Sequence, residues 1–415
     1  MAVHPRFRMF SALVQALVWA DVARSHSITE DACAISTPSA NLDAGDQHDE
    51  SMLIQHQGSL GTSAAPDALG LVQESALANR TIHTRGLSFS CTWTPSSCSR
   101  TVRGKQVLLL HGFPMWKETW LDLMKELADV GYCAAACDQR GYSPGASPPS
   151  QHDYTVKKLM GDVAGFANAF GFRRFHLVAH DIGAVISWLF LGSKRWRRRV
   201  VSFTSLAVPH PVAFSDGLFG ETADLDQQAA STYFHLFRRP SSASLSNNTL
   251  YELLGAPFSP SQTSMTPPGP GWESPEAFQK ALWWYNAIIP QWMAQGPLLS
   301  VQEIAQLGFQ QIAVLLQLLG GSPTPGKAAQ NRAESISAPT LFICGNEDHA
   351  ILCTKPFSRA TQHYCKGSYE FLEVTCGHDL QHCHDPDQTG IVYDAILDHI
   401  KKHSHWWYAR YASRK

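Results

Sequence analysis

The sequence predicts an α/β fold, a mostly parallel central sheet flanked by helices on both faces, with a helical subdomain inserted late in the chain. Three observations carry this. Between Val107 and Leu206, apolar runs of strand length alternate with longer helical patterns, the order that builds parallel βαβ units. The alternation stops between Val212 and about Ser337, where helical segments are separated by loops rich in Pro, Gly and Ser. Two further strand-like runs and a closing helix then complete the pattern.

Taken in order, residues 1–27 read as a signal peptide for the secretory pathway, with a disordered or organelle-targeting leader, and so a cytoplasmic or organellar location, as the alternative. Arg6 and Arg8 precede an apolar run from Met9 to Ala20 and small residues around Ala23, where cleavage is expected, although Asp21 fits a cleavage region poorly. The run is too short to span a bilayer, and no other segment approaches the length required. Residues 28–78 are rich in Ser, Ala, Asp, Gln and Gly without periodicity and read as a low-complexity linker.

The first part of the core spans 79–211. Its expected strands are Val107 to Leu110, Cys133 to Cys137, Phe175 to Val178 and Val200 to Leu206; its helices are Trp120 to Leu127, Val156 to Phe170 and Ala184 to Phe190. The inserted subdomain spans 212–337, with helices over Asp226 to Phe237, Glu276 to Ile288 and Val301 to Leu319 and a proline-rich loop over Ser259 to Pro275. The second part of the core, 338–402, holds strands Thr340 to Cys344 and Glu370 to Val374 and a helix from Ile391 to Lys401. A tail, 403–415, follows.

With 33 basic against 35 acidic residues in 415, there is no electrostatic footprint for nucleic acid, and a small neutral partner fits better. The basic run Lys194 to Arg199 follows an apolar helical segment, where cations complement the helix dipole. Of ten cysteines, Cys133, Cys137 and Cys344 fall in apolar strand-like runs and are expected to pack as free thiols. Cys91 and Cys98 bracket a Pro/Ser turn that suits a local disulfide in a secreted chain, and sequons at Asn79 and Asn247 agree with secretion. No cysteine set has zinc-ligand spacing.

The strongest feature is Phe175-His176-Leu177-Val178-Ala179-His180-Asp181-Ile182-Gly183-Ala184, an apolar strand entering a turn of small residues and then an apolar helix. Such an elbow lifts its central side chain into a site, and here that side chain is a carboxylate, Asp181, at a helix N-terminus that favours its ionised form. A carboxylate attacks alkyl carbon well and amides or ordinary esters poorly. Standing alone, Asp181 would read as an N-cap. It is accompanied by His111-Gly112-Phe113-Pro114 after the strand ending at Leu110, by an acid, Asp348, after the strand Thr340 to Cys344, and by His378 after the strand ending at Val374. The backbone N–H groups of Phe113 and Ile182 are the expected oxyanion donors. Chain order is nucleophile, acid, base.

These motifs resemble the epoxide hydrolase branch of the α/β-hydrolase superfamily, from about Asn79 to Lys401. The likeness extends to Asp138-Gln139-Arg140-Gly141-Tyr142-Ser143, Val208-Pro209-His210-Pro211 and Gly377-His378. It makes the inserted subdomain a cap and implies two cap tyrosines over the nucleophile: Tyr233, in Tyr233-Phe234-His235-Leu236-Phe237, and Tyr285, in Leu282-Trp283-Trp284-Tyr285-Asn286. It also implies a small lipophilic epoxide and water as substrates, no metal or organic cofactor, and a vicinal diol made through an alkyl ester of Asp181. Asp138 and Arg140 are expected to form a structural pair. Asp379, His382, Cys383 and His384 crowd the base but are expected to be solvated surface.

Ile182 stands where the family commonly has tryptophan, and Ala184 where glycine is frequent; the segment Met293 to Gly326 has no match in the family pattern. Two other functions remain open. A haloalkane or haloacid dehalogenase would share the aspartate nucleophile and would need Trp283 or Trp284 to hold halide. A catalytically silent ligand-binding scaffold would bind lipophilic molecules without forming an ester.

Overall fold

The computed structural model describes residues 77–99, 104–219, 223–238, 275–288, 336–353 and 355–412. The expected leader, nearly all of the linker, the helix over Val301 to Leu319 and the segment Met293 to Gly326 lie outside these residues.

Among the described residues eight strands, β1 to β8 in chain order, are Ala78–Thr84, Leu87–Trp93, Gln106–Leu110, Cys133–Cys137, Phe175–His180, Val200–Leu206, Thr340–Gly345 and Tyr369–Val374, and they form one sheet in the order β1-β2-β4-β3-β5-β6-β7-β8. From β4 to β8 every pairing is parallel. Strands β3 to β7 are buried along nearly their whole length because helices cover both faces. Side chains alternate between two cores: Leu108 and Leu110 pack on one side with residues such as Tyr233, Phe237 and Tyr285, Val107 and Leu109 on the other with the C-terminal helix.

Helices are numbered in chain order: α1 Pro95–Ser99, α2 Leu121–Asp129, α3 Val156–Ala169, α4 Ile182–Gly192, α5 Pro211–Phe219, α6 Leu225–Ala230, α7 Tyr233–Phe237, α8 Pro275–Ile288, α9 Pro356–Ala360 and α10 Pro386–Ala412. Thr155 caps α3 and Asp224 caps α6, each side chain accepting a first-turn N–H that has no helical partner. None of the described helices is long and apolar enough to cross a membrane.

Several expectations are corrected. The antiparallel hairpin β1–β2 precedes the first strand read from the sequence; its turn, Arg85-Gly86, places both residues at positive φ (55° and 76°), with an arginine where Asn or Asp usually signals such a turn. The helix expected over Asp226 to Phe237 breaks at Ser231-Thr232 into α6 and α7. The last helix runs on to Ala412 through the expected tail.

The cysteine readings are also overturned. Cys91 bonds Cys137 and Cys98 bonds Cys133, while Cys344 bonds Cys353 and Cys376 bonds Cys383. Register decides the first two, because β2 lies antiparallel on β4 with Cys91 opposite Cys137, and α1 carries Cys98 back toward Cys133. Among the described residues Cys365 is the free thiol. Asp138 and Arg140 do not pair with each other. Asp138 receives Lys117 Nζ at 2.6 Å, and Arg140 forks onto Asp162 at 2.6 and 2.8 Å, each pair buried. Removing one partner from such a pair typically costs about 3–5 kcal/mol, since the other charge is left buried alone.

Candidate active site

Asp181, Asp348, His378 and the His111–Pro114 loop follow β5, β7, β8 and β3 and meet at the carboxyl ends of these strands, where open α/β sheets hold their ligands. The elbow is strained as its sequence implies: Asp181 has φ 50° and ψ −125°, outside the regions that L-residues favour. Gly183 makes the turn possible, because a Cβ there would lie 2.5 Å from the His111 carbonyl oxygen and 2.7 Å from that of Leu110. α4 therefore approaches β3 more closely than any larger residue allows.

Asp181 Oδ1 accepts the Phe113 N–H at 2.8 Å, and the Ile182 N–H also supports the carboxylate. Its other oxygen, Oδ2, lies 3.3 Å from His378 Nε2. Burial opposes ionisation of Asp181, yet the hydrogen bond and charge of His378 outweigh it and hold the carboxyl below the usual range. The carboxylate is thus anchored by one oxygen and presents the second.

His378 Nδ1 contacts Asp348 Oδ2 at 2.6 Å, while Asp348 Oδ1 accepts the Ala350 and Ile351 N–H groups at 2.7 and 2.9 Å. Of the two adjacent acids, Asp348 is buried against His378 and Glu347 is exposed. Burial alone would lower the His378 pKa; Asp348 and Asp181 reverse this and raise it to about 10. At rest the imidazole is a cation between two carboxylates. Both loops are stapled: the Cys344–Cys353 bond encloses Asp348, and the Cys376–Cys383 bond encloses His378.

Tyr233 on α7 and Tyr285 on α8 are both buried, with ring centroids 6.3 Å apart in an edge-on arrangement. Burial first, and then the negative charge of Asp181, raise both phenols well above their ordinary pKa. They remain protonated donors across the working pH range. Around them Phe113, Phe234, Phe237 and Phe278 form an aromatic wall suited to a lipophilic ligand.

Gly112 has a specific role. A Cβ at this position would fall 2.4 Å from Asp181 Oδ1. Gly112→Ala should therefore lower kcat/KM by about 10²-fold or more, the usual scale for a 1 Å displacement of a reacting group, in a chain that still melts cooperatively. Steady-state kinetics beside a thermal melt check this.

Residues 105–385 match the family described as alpha/beta hydrolase fold. The chain belongs to that α/β-hydrolase family. Epoxide hydrolase A of Mycobacterium tuberculosis is 28% identical to this α/β-hydrolase over 306 residues, 71% of this chain and 89% of the relative. Epoxide hydrolase 3 of Siraitia grosvenorii is 44% identical over 87 residues, 21% of this chain and 28% of the relative. A crystal structure of a Bacillus megaterium epoxide hydrolase in complex with an inhibitor aligns with a TM-score of 0.54 and 19% identity, covering 77% of this chain and 100% of the other; that likeness shows the fold.

The structure adds residues to this α/β-hydrolase site that the sequence did not single out as functional. Gln227, on α6, donates to the Ala350 carbonyl at 2.8 Å and accepts the Leu352 N–H at 2.7 Å, so α6 braces the loop carrying Asp348. His180 Nε2 meets the His378 carbonyl at 2.9 Å and steadies the loop carrying His378. Tyr142 is fully buried, with Asp181's charge among the causes that raise its pKa, and packs against Trp284, whose indole N–H donates to the Arg140 carbonyl at 2.7 Å. His111 does not face substrate as a charged group: burial lowers it to about 4, and its Nε2 accepts the Gln139 N–H at 3.0 Å while Gln139 donates back to its carbonyl. It shapes the loop that presents Phe113. The crowded base region offers no thiolate, since Cys383 is bonded to Cys376. Contrary to the solvated surface expected here, Asp379 is buried and His382 and Cys383 are half-buried, with His382 meeting the Thr119 hydroxyl at 3.3 Å; of the four, His384 is exposed.

Proposed function

We propose that this hydrolase adds water to a small lipophilic epoxide and releases a vicinal diol through an alkyl ester of Asp181. The observation that carries the reading is the pairing of an ionised, anchored carboxylate with two buried, protonated tyrosines inside an aromatic wall. The similarity to epoxide hydrolases of Mycobacterium tuberculosis and Siraitia grosvenorii supports the same reaction class.

Asp181 Oδ2, the oxygen not held by Phe113, attacks an epoxide carbon and the C–O bond of the ring breaks. Tyr233 and Tyr285 hydrogen-bond the departing oxygen, and one of them gives it a proton, avoiding a free alkoxide. Ester formation removes the Asp181 charge, which is part of what held His378 at about 10. The imidazole then becomes more acidic, and the proton it releases restores the tyrosine.

Neutral His378, oriented by Asp348, next takes a proton from water, whose oxygen adds to the ester carbonyl carbon. The Phe113 and Ile182 N–H groups stabilise the oxyanion on Oδ1. Collapse breaks the bond between that carbon and Oδ2, and the proton left on the water-derived oxygen passes to the departing oxygen; the diol leaves with an enzyme oxygen, and Asp181 returns as a carboxylate that keeps the oxygen from water. Nothing favours dehalogenation at the tryptophans: the Trp284 N–H is committed to Arg140, and Trp283 packs edge-on against Tyr154.

The test is turnover of a styrene-type or fatty-acid epoxide by the full chain. Diol formation without halide release from chloroalkanes is expected, whereas halide release without diol would sink the assignment. Ligand binding with no ester at Asp181 would favour a silent scaffold. Tyr233→Phe with Tyr285→Phe should slow alkylation by about 10²- to 10⁴-fold, the range for losing general acid catalysis, while ester already formed still hydrolyses. The four disulfides also support an oxidising compartment, in keeping with a secreted chain.

A further inference from the structure

Beyond the active site, His399 and His403 lie one turn apart on α10 and face Glu370 on β8. One ligand atom from each lies within 4.8 Å of the others. The His399 side chain is fully buried. Its ring leans on the Pro339 carbonyl and the Glu370 carboxylate but satisfies hydrogen-bond geometry with neither, and His403 Nε2 also lacks a hydrogen-bond partner. Buried imidazole nitrogens rarely go unmatched.

The 3.6 Å between His399 Nδ1 and Glu370 Oε1 is too long for a hydrogen bond. It is close to the edge of about 3.4 Å expected for two ligands of one tetrahedral zinc with bonds near 2.1 Å. Burial also keeps both imidazoles in the neutral, ligating form. By contrast, the neighbouring His176 is satisfied, by Ser202 at 2.7 Å and by the Gly104 carbonyl and Ser404 at 3.0 Å.

We propose that Glu370, His399 and His403 bind one zinc-class divalent ion, with water as fourth ligand, and that the ion clamps α10 to the edge strand β8. Two imidazoles and a carboxylate suit zinc rather than calcium or magnesium, which take all-oxygen shells. Glu370 is 40% exposed at its side chain, so the ion enters from solvent. Lys402 Nζ, 2.9 Å from the same Glu370 oxygen and itself 60% exposed, is the competing cation that the metal displaces. Glu370 sits near the start of β8, whereas His378 follows its end, so the ion acts on stability rather than on the reaction.

The experiment titrates the full chain, stripped with chelator and prepared without a histidine tag, with zinc by calorimetry and with cobalt by visible absorption. One saturable site per chain, a tetrahedral cobalt spectrum and a melting temperature rising with zinc concentration are expected. His403→Gln, at a buried position, and Glu370→Gln, at a partly exposed one where folding is least disturbed, should each abolish that site, and Lys402→Gln should tighten it. Absence of saturable binding, or stoichiometric zinc retained by both loss variants, would overturn the proposal.

Discussion

Asp181→Asn should abolish diol formation, with kcat at least about 10⁴-fold below that of the native chain, the scale on which removal of a covalent nucleophile is felt. The substitution keeps shape and the Phe113 contact, since an amide oxygen can still accept that N–H at the 2.8 Å seen for Oδ1. What disappears is the second anionic oxygen. His378 loses one of the two carboxylates that raise it, so its titration should move down from about 10, visible in imidazole NMR resonances. A variant that folds, shows the lowered histidine titration and still turns over epoxide would remove Asp181 from the chemistry.

His378→Gln should separate the two half-reactions. The glutamine amide can still donate to Asp348, so the buried carboxylate is not left alone, but no group remains to take a proton from water. Epoxide should be consumed once per chain, the protein mass should rise by that of the epoxide, and ester decay should be slowed by about 10²- to 10⁴-fold. In the native chain, ester hydrolysis should rise with pH and level off below the resting value of about 10, because the ester no longer carries the Asp181 charge. Alkylation should stay flat into mildly acidic solution, as Asp181 is held below the ordinary carboxylate range. Both phases are measurable by quenched single turnover with intact-mass detection. A His378→Gln chain that cycles without accumulating ester would contradict the assigned base.

The sequence was legible where a short segment carried its own physics. β4 and β6 match the expected Cys133 to Cys137 and Val200 to Leu206 because buried parallel strands are continuous apolar runs. The elbow at Asp181 was readable because a carboxylate between small residues, after such a run and before an apolar helix, has few other uses. What stayed hidden depended on distant register. Cys91 faces Cys137 only because β2 reverses onto β4, and no spacing rule reports that. Gln227 braces the loop carrying Asp348 across a sequence separation of 123, and in the sequence it is one polar residue on a short helix. Tyr142 was visible as part of a motif, yet its nearness to Asp181 follows from how β4 and the following turn pack beneath α8. The hairpin β1–β2 was missed because Arg85-Gly86 supplies its positive φ angles without the usual Asn or Asp.

The covalent ester is the central claim, and oxygen-18 water tests it most directly. In a single turnover with chain in excess over epoxide, the diol should carry no label, and the label should appear in a peptide containing Asp181. Label passing straight into the diol, with Asp181 unlabelled, would mean that water attacks the epoxide directly and would contradict the account.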